Sequence, residues 1–216
     1  MIELVIFDVD GTLVNTVRKN FELEVDVITE MGGKAPSFEQ YRSALFRGSW
    51  TEYYEQYGVD PERAIALYYE KLTYIDVEAI PGVGETLEDL RVKSIDRSNK
   101  GKKLKWSVVS LAKSVERVRK KLENARLERY FTDCNIHVTE ADKSEAIIGE
   151  LREHDVRPER AVIVGDTRID VESGRKAGII TIGIANEYSF DTFERIREAK
   201  PDYIARSIKE IIGVIG

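Results

Sequence analysis

Four short apolar runs constrain the fold more than any other feature of the chain: Ile2–Phe7, Leu104–Val109, Ala161–Val164 and Ile179–Ile184. They are rich in valine and isoleucine and lack a helical period, the pattern of strands covered on both faces in a parallel sheet. Asn135–Val138 and Tyr203–Ala205 are weaker runs of the same kind. Amphipathic stretches of helical period lie between them: Val115, Val118, Leu122 and Leu127 share roughly one face, as do Ala146, Ile147 and Leu151. This alternation predicts an α/β fold, a Rossmann-like parallel sheet core flanked by helices with right-handed crossovers. Ligands in such sheets bind beyond the carboxyl ends of the strands.

One segment breaks the alternation. From Val17 to Ile80 the chain offers only helical patterns, such as Phe21–Met31 and Glu62–Tyr74, before the turn signal Pro81-Gly82. The expected organisation is therefore a core formed by residues 1–16 and 81–216, interrupted by an all-helical insertion over 17–80. A chain of 216 residues is long enough for one core carrying a smaller inserted unit. The insertion holds seven of the ten tyrosines, together with Trp50. Most of these suit a small aromatic core; a few are open to lining a pocket or a dimer surface, so both a monomer and a homodimer are compatible with the sequence.

Charge excludes some partners. A formal net charge of −6 argues against bulk attraction to nucleic acid or an anionic membrane. The stretch Arg91–Lys105 holds seven Lys or Arg and one acid, and reads as a solvated, mobile loop rather than a nucleic-acid patch. The apolar run at the N-terminus is too short for a secretory signal, no run approaches the roughly 20 residues of a membrane span, and a single cysteine forbids an intrachain disulfide. The expectation is a cytoplasmic protein without a membrane anchor.

Four chemically loaded segments fall at the predicted strand ends. Asp8-Val9-Asp10-Gly11-Thr12 directly follows the first strand. Paired carboxylates near a core repel and cost several kcal/mol unless a cation or donor compensates, and oxygen-only ligands suit Mg²⁺. An ordinary acidic turn is the competing account. Gly165-Asp166-Thr167-Arg168-Ile169-Asp170 again puts two acids after an apolar strand, four residues apart, where helix capping is the alternative. Ser110 ends the second strand and suits either an anion site or a helix N-cap. Lys143 opens a helix over Lys143–Arg152, where a cation opposes the dipole; a solvated lysine is the plain alternative.

Taken together, Asp8/Asp10/Thr12, Ser110, Lys143 and Gly165-Asp166 with Asp170 resemble the motif set of the haloacid dehalogenase superfamily, specifically its phosphatases. Pro81-Gly82-Val83, Arg175-Lys176-Ala177-Gly178-Ile179 and Pro201-Asp202-Tyr203-Ile204 extend the resemblance to phosphoglycolate-phosphatase-like members over nearly the whole chain. The resemblance implies that the insertion is a helical cap and that the protein is an Mg²⁺-dependent phosphatase acting on a small phosphorylated metabolite. It further implies a phosphoaspartate on Asp8, with Asp10 as general acid and base. Gly11, Thr12, Ser110 and Lys143 would bind phosphate. Asp8, Asp166 and the carbonyl of Asp10 would hold the metal, and Asp170 would touch it through water or orient Lys143. Thr139 and Ser144 remain open as further phosphate contacts. An acid at position 10 favours phosphate over a halogenated substrate, while a phosphomutase and a non-catalytic phosphate-binding domain stand as alternatives. Arg47 and Trp50, in the insertion, are candidates for substrate choice, with Arg47 facing a substrate carboxylate such as that of phosphoglycolate.

Overall fold

A computed structural model describes residues 1–44, 49–72, 76–98 and 104–215. Strand β1 (Leu4–Phe7) leads into helices α1 (Val17–Glu30), α2 (Phe38–Ala44), α3 (Trp50–Glu55), α4 (Pro61–Leu72) and α5 (Val83–Ser98). Strict alternation follows: β2 (Lys105–Ser110), α6 (Val115–Asn124), β3 (Asn135–Val138), α7 (Ser144–Glu153), β4 (Ala161–Gly165) and α8 (Arg168–Ala177). The chain closes with β5 (Ile180–Ile184), α9 (Phe193–Glu198), β6 (Tyr203–Ala205) and α10 (Ile212–Ile215). Each of the six predicted strands forms, within two residues of its expected bounds.

The strands make one sheet in the order β3-β2-β1-β4-β5-β6, with every pair parallel. β1 is central and wholly buried, because the period of two sends its side chains alternately to two covered faces. Val5 and Phe7 pack with Leu87, Leu90, Val118 and Leu122 on one face. Leu4 and Ile6 pack with Ile147, Leu151 and Ala177 on the other. Register fixes the chemistry at one end: Phe7 pairs with both Val108 and Val164, so Asp8, Ser110 and Asp166 emerge within about two residue rises of one another.

Helices α1 to α4 form a layer with an apolar cluster of its own, in which Val27, Ile28, Tyr41, Tyr54 and Tyr68 are buried. Phe190, from the loop after β5, joins that cluster. Arg42 ties the layer to the sheet by donating to the carbonyls of Asp191 (2.9 Å) and Asn186 (3.3 Å). Tyr74 lies outside the described residues, and α4 ends at Leu72 rather than at Tyr74.

Of the basic stretch Arg91–Lys105, residues 99–103 lie outside the described residues, and the part up to Ser98 differs from the expected loop. Arg91 to Ser98 forms the last two turns of α5, seated by the buried Leu87 and Leu90 and a Glu88–Arg91 ion pair one turn apart. Cations at a helix C-terminus are favoured by its dipole, which removes the reason to read the charge run as irregular. No described helix is long and apolar enough to cross a membrane.

Candidate active site

The site is built from four chain segments that reach the carboxyl end of the sheet. Asp8 is 5% exposed; Asp166, Asp170 and Lys143 are buried more completely. One oxygen from each of Asp8, Asp166 and Asp170 lies within 4.8 Å of the others. Lys143 Nζ stands 2.5 Å from Asp8 Oδ1 and 2.6 Å from Asp170 Oδ1. The Lys143 ammonium is neither solvated nor in a first helical turn: it holds the N-cap position of α7, where its backbone N–H donates to Ser173 Oγ. Burial works against its charge, but Asp170 and Asp8 outweigh burial and hold the ammonium above its ordinary pKa.

Asp170 serves two purposes, so the capping account and the functional one both hold. Its Oδ2 accepts from the backbone N–H and hydroxyl of Thr167, closing a capping box at the start of α8. Its other oxygen orients Lys143. Gly165 is required beside it, because a Cβ there would lie 2.2 Å from Asp170 Cγ.

Asp166 lies under Gly11. Its Oδ2 accepts from the Phe190 backbone N–H at 2.6 Å, and its Oδ1 accepts from Thr12 Oγ1 at 3.0 Å. Gly11 has φ +78°, and a Cβ there would approach Asp166 Oδ2 to 2.3 Å. The same Thr12 hydroxyl is 3.3 Å from Asp8 Oδ2, yet it carries only one proton. Two buried carboxylate oxygens therefore compete for a single donor. Burial first pushes both acids above the carboxylate range; Asp170 and Asp10 add to it at Asp8 against the pull of Lys143, and Asp8 and Asp170 add to it at Asp166. Three acids against one ammonium, with oxygen donors only, is a set that a divalent ion such as Mg²⁺ fits.

Ser110 is the last residue of β2 and is not an N-cap. Its Oγ accepts from the Ala112 backbone N–H at 3.2 Å, while Ser114 caps α6. The loop between them supplies the extra turn that the apolar pattern concealed. Asp10 turns away from the carboxylate cluster to Lys121, whose Nζ lies 2.6 and 2.7 Å from its two oxygens. Lys121 escaped the sequence reading because it falls on the polar face of an amphipathic helix, where period alone says solvent. Thr139 keeps its hydroxyl buried without a hydrogen-bond partner, and the Ser144 amide is taken by Asp142. Trp50 opens α3, is 42% exposed, stacks on Tyr54 and packs at a tilt against Tyr68. Arg47 lies outside the described residues.

A cavity of about 400 Å³ stands over these groups, with Asp8, Asp10, Ser110 and Lys143 at its floor and Tyr41, Trp50, Tyr68 and Tyr69 above. Residues 5–184 match the family model of haloacid dehalogenase-like hydrolases. The chain belongs to that family. This hydrolase is 23% identical over 231 residues to a phosphoglycolate phosphatase of Vibrio parahaemolyticus, covering 99% of this chain and 96% of the relative. It is 25% identical over 233 residues to the pyrophosphatase PpaX of Halalkalibacterium halodurans, covering 100% and 97%. Its fold superposes with a TM-score of 0.78 on a haloacid dehalogenase-like hydrolase of Streptococcus pneumoniae, at 20% identity over 100% of this chain and 99% of the other. The hydrolase thus spans nearly the full length of relatives that are themselves phosphatases.

Proposed function

We propose that the protein is an Mg²⁺-dependent phosphatase of small phosphate monoesters, working through an aspartyl-phosphate on Asp8. The observation that carries this reading is the Asp8 carboxylate, buried at the cavity floor and shared between Lys143 and the Thr12 hydroxyl. Asp8 and Asp166, with the main-chain carbonyl of Asp10, would hold Mg²⁺; when bound, it would draw charge from the phosphoryl oxygens.

Asp8 attacks phosphorus; the new O–P bond forms as the P–O bond to the leaving group breaks, and the electron pair stays on the leaving oxygen. Asp10 protonates that oxygen, then takes a proton from the water that cleaves the phosphoaspartate and restores Asp8. Lys143, Ser110 and the backbone around Gly11 and Thr12 steady the transferred group as its charge builds. Asp170 acts by orienting Lys143. Residues 17–80 act as a cap over the core of 1–16 and 81–216, shielding the intermediate from bulk water and choosing the substrate, with Trp50 in its cavity-facing wall.

The test is hydrolysis of a panel of phosphorylated metabolites with Mg²⁺ and with a chelator, alongside Asp8→Asn. Turnover should require the metal and vanish in the variant, and acid-quenched wild type should carry phosphate on the peptide spanning Asp8. Near-normal hydrolysis by Asp8→Asn would remove Asp8 as nucleophile.

A further inference from the structure

The lining of the cavity is chemically mixed. Tyr41, Trp50, Tyr68 and Tyr69 supply aromatic surface, and the polar face of α6 supplies cations, the two meeting where Lys113 covers Tyr69. On α6, Arg117, Lys120 and Lys121 recur at spacings of three and four, so they share a face, and Lys113 stands just before the helix. Four cations around one cavity of a chain with net charge −6 mark a local site for anions.

Three of the four are already engaged. Lys121 holds Asp10, Lys120 pairs with Glu123 at 2.9 Å, and Lys113 Nζ lies 3.3 Å from the centre of the Tyr69 ring. The guanidinium of Arg117 is half-buried and has no hydrogen bond or ion pair among the described residues, although its charge is felt at Tyr68 across the cavity. A half-buried planar fork without a counter-ion, facing a cavity, is suited to a carboxylate or phosphoryl group.

We infer that Arg117 receives a second anionic group of the substrate. The substrate class is a phosphate monoester whose leaving group carries a flat ring, stacked against the aromatic wall, with the anion at its far end. This rests on the phosphatase reading above. The lining supports a ring: Tyr41, Trp50, Tyr68 and Tyr69 offer aromatic surface in the same cavity as Arg117, which lies one helical turn from the Lys121 that holds Asp10.

The experiment compares phenyl phosphate with 4-carboxyphenyl phosphate in steady-state hydrolysis with Mg²⁺, using wild type, Arg117→Ala, Arg117→Lys and Arg119→Ala. Wild type should favour the carboxylated ester by about tenfold or more in kcat/KM, mostly through KM. Arg117→Ala should bring that ratio close to one, and Arg117→Lys should keep only part of it, because a point charge lacks the fork. Arg119, exposed on α6 and outside the cavity lining, should keep the wild-type ratio on replacement. Hydrolysis of phenyl phosphate without a preference, or a preference that survives Arg117→Ala, overturns the role of Arg117 and leaves the phosphatase reading standing. Failure of wild type on both esters, with turnover of other metabolites in the panel above, overturns this inference alone; failure on the whole panel removes the phosphatase reading, and this inference with it.

Discussion

Lys143 and Asp8 meet across 135 positions of sequence, with the ammonium 2.5 Å from the carboxylate at a site closed to solvent. Asp170 completes the arrangement from the other side at 2.6 Å. The buried lysine partly offsets three acids, a set whose remaining charge a divalent ion would fit.

Lys143→Met should therefore act on both stability and rate. Removing one partner of a buried ion pair destabilises by about 3–5 kcal/mol, because the remaining charges stay unpaired. Urea unfolding should show that loss without metal and a partial recovery when Mg²⁺ is added. Loss of a donor to the transferred group should cost roughly 10²–10³ in kcat. A variant with wild-type kcat would separate Lys143 from the chemistry.

Gly11→Ala tests the cradle over Asp166. The backbone there has φ +78°, and the new methyl would collide with Asp166 Oδ2 at 2.3 Å. The collision must move a candidate metal ligand, so Mg²⁺ should bind at least about tenfold more weakly, a change of ~1.4 kcal/mol in binding. Titration calorimetry reads this directly. Unchanged affinity would exclude Asp166 as a ligand in the position described.

Lys121→Ala releases the Asp10 carboxylate from a pair that is partly open to water, its side chains 28% and 21% exposed. A partly screened pair contributes modestly to stability, so the fold should hold. If Lys121 positions Asp10, kcat should fall about three- to tenfold with little change in KM, and Lys121→Arg should restore most of it. A change confined to KM would instead assign Lys121 to substrate binding.

Glu24, on α1, gives a pH dependence that does not involve the site. It is wholly buried, and neither of its oxygens has a hydrogen-bond partner of good geometry. Burial raises its carboxyl from 4.5 to about 7, with the nearby Tyr54 hydroxyl pulling weakly the other way. Between these values the folded chain keeps a proton that the unfolded chain has lost, so stability falls as pH rises through this window. The penalty is complete above about pH 7 and is on the order of 3 kcal/mol. Glu24→Gln should remove this share of the slope, leaving that of the buried Asp8 and Asp166, and be the more stable protein at about pH 8. Parallel urea curves for the two proteins across that window would refute the assignment.

Much of the core was legible beforehand, because burial on both faces of a parallel strand leaves a continuous apolar run. Asp8 and Asp166 stood out because acids directly after such runs have no plain structural reason to be there. For Ser110 the sequence left an anion site and a helix N-cap both open, since the run gave no sign of the turn before Ser114, which takes the cap. Arg91 to Ser98 was read as part of a loop because the charge pattern hid the helical support of Leu87 and Leu90.

Sequence alone determined the alternation of strand and helix, the helical break after β1 and the acids at the strand ends, all of which are written in local spacing. Tertiary structure alone decided that Thr12 shares one proton between Asp8 and Asp166, that Lys121 holds Asp10, and that Arg117 lines one cavity with Tyr41, Trp50 and Tyr68. The reason is physical. Periodicity reports which side of an element is buried against its own sheet, whereas the polar side meets partners brought from distant segments by packing.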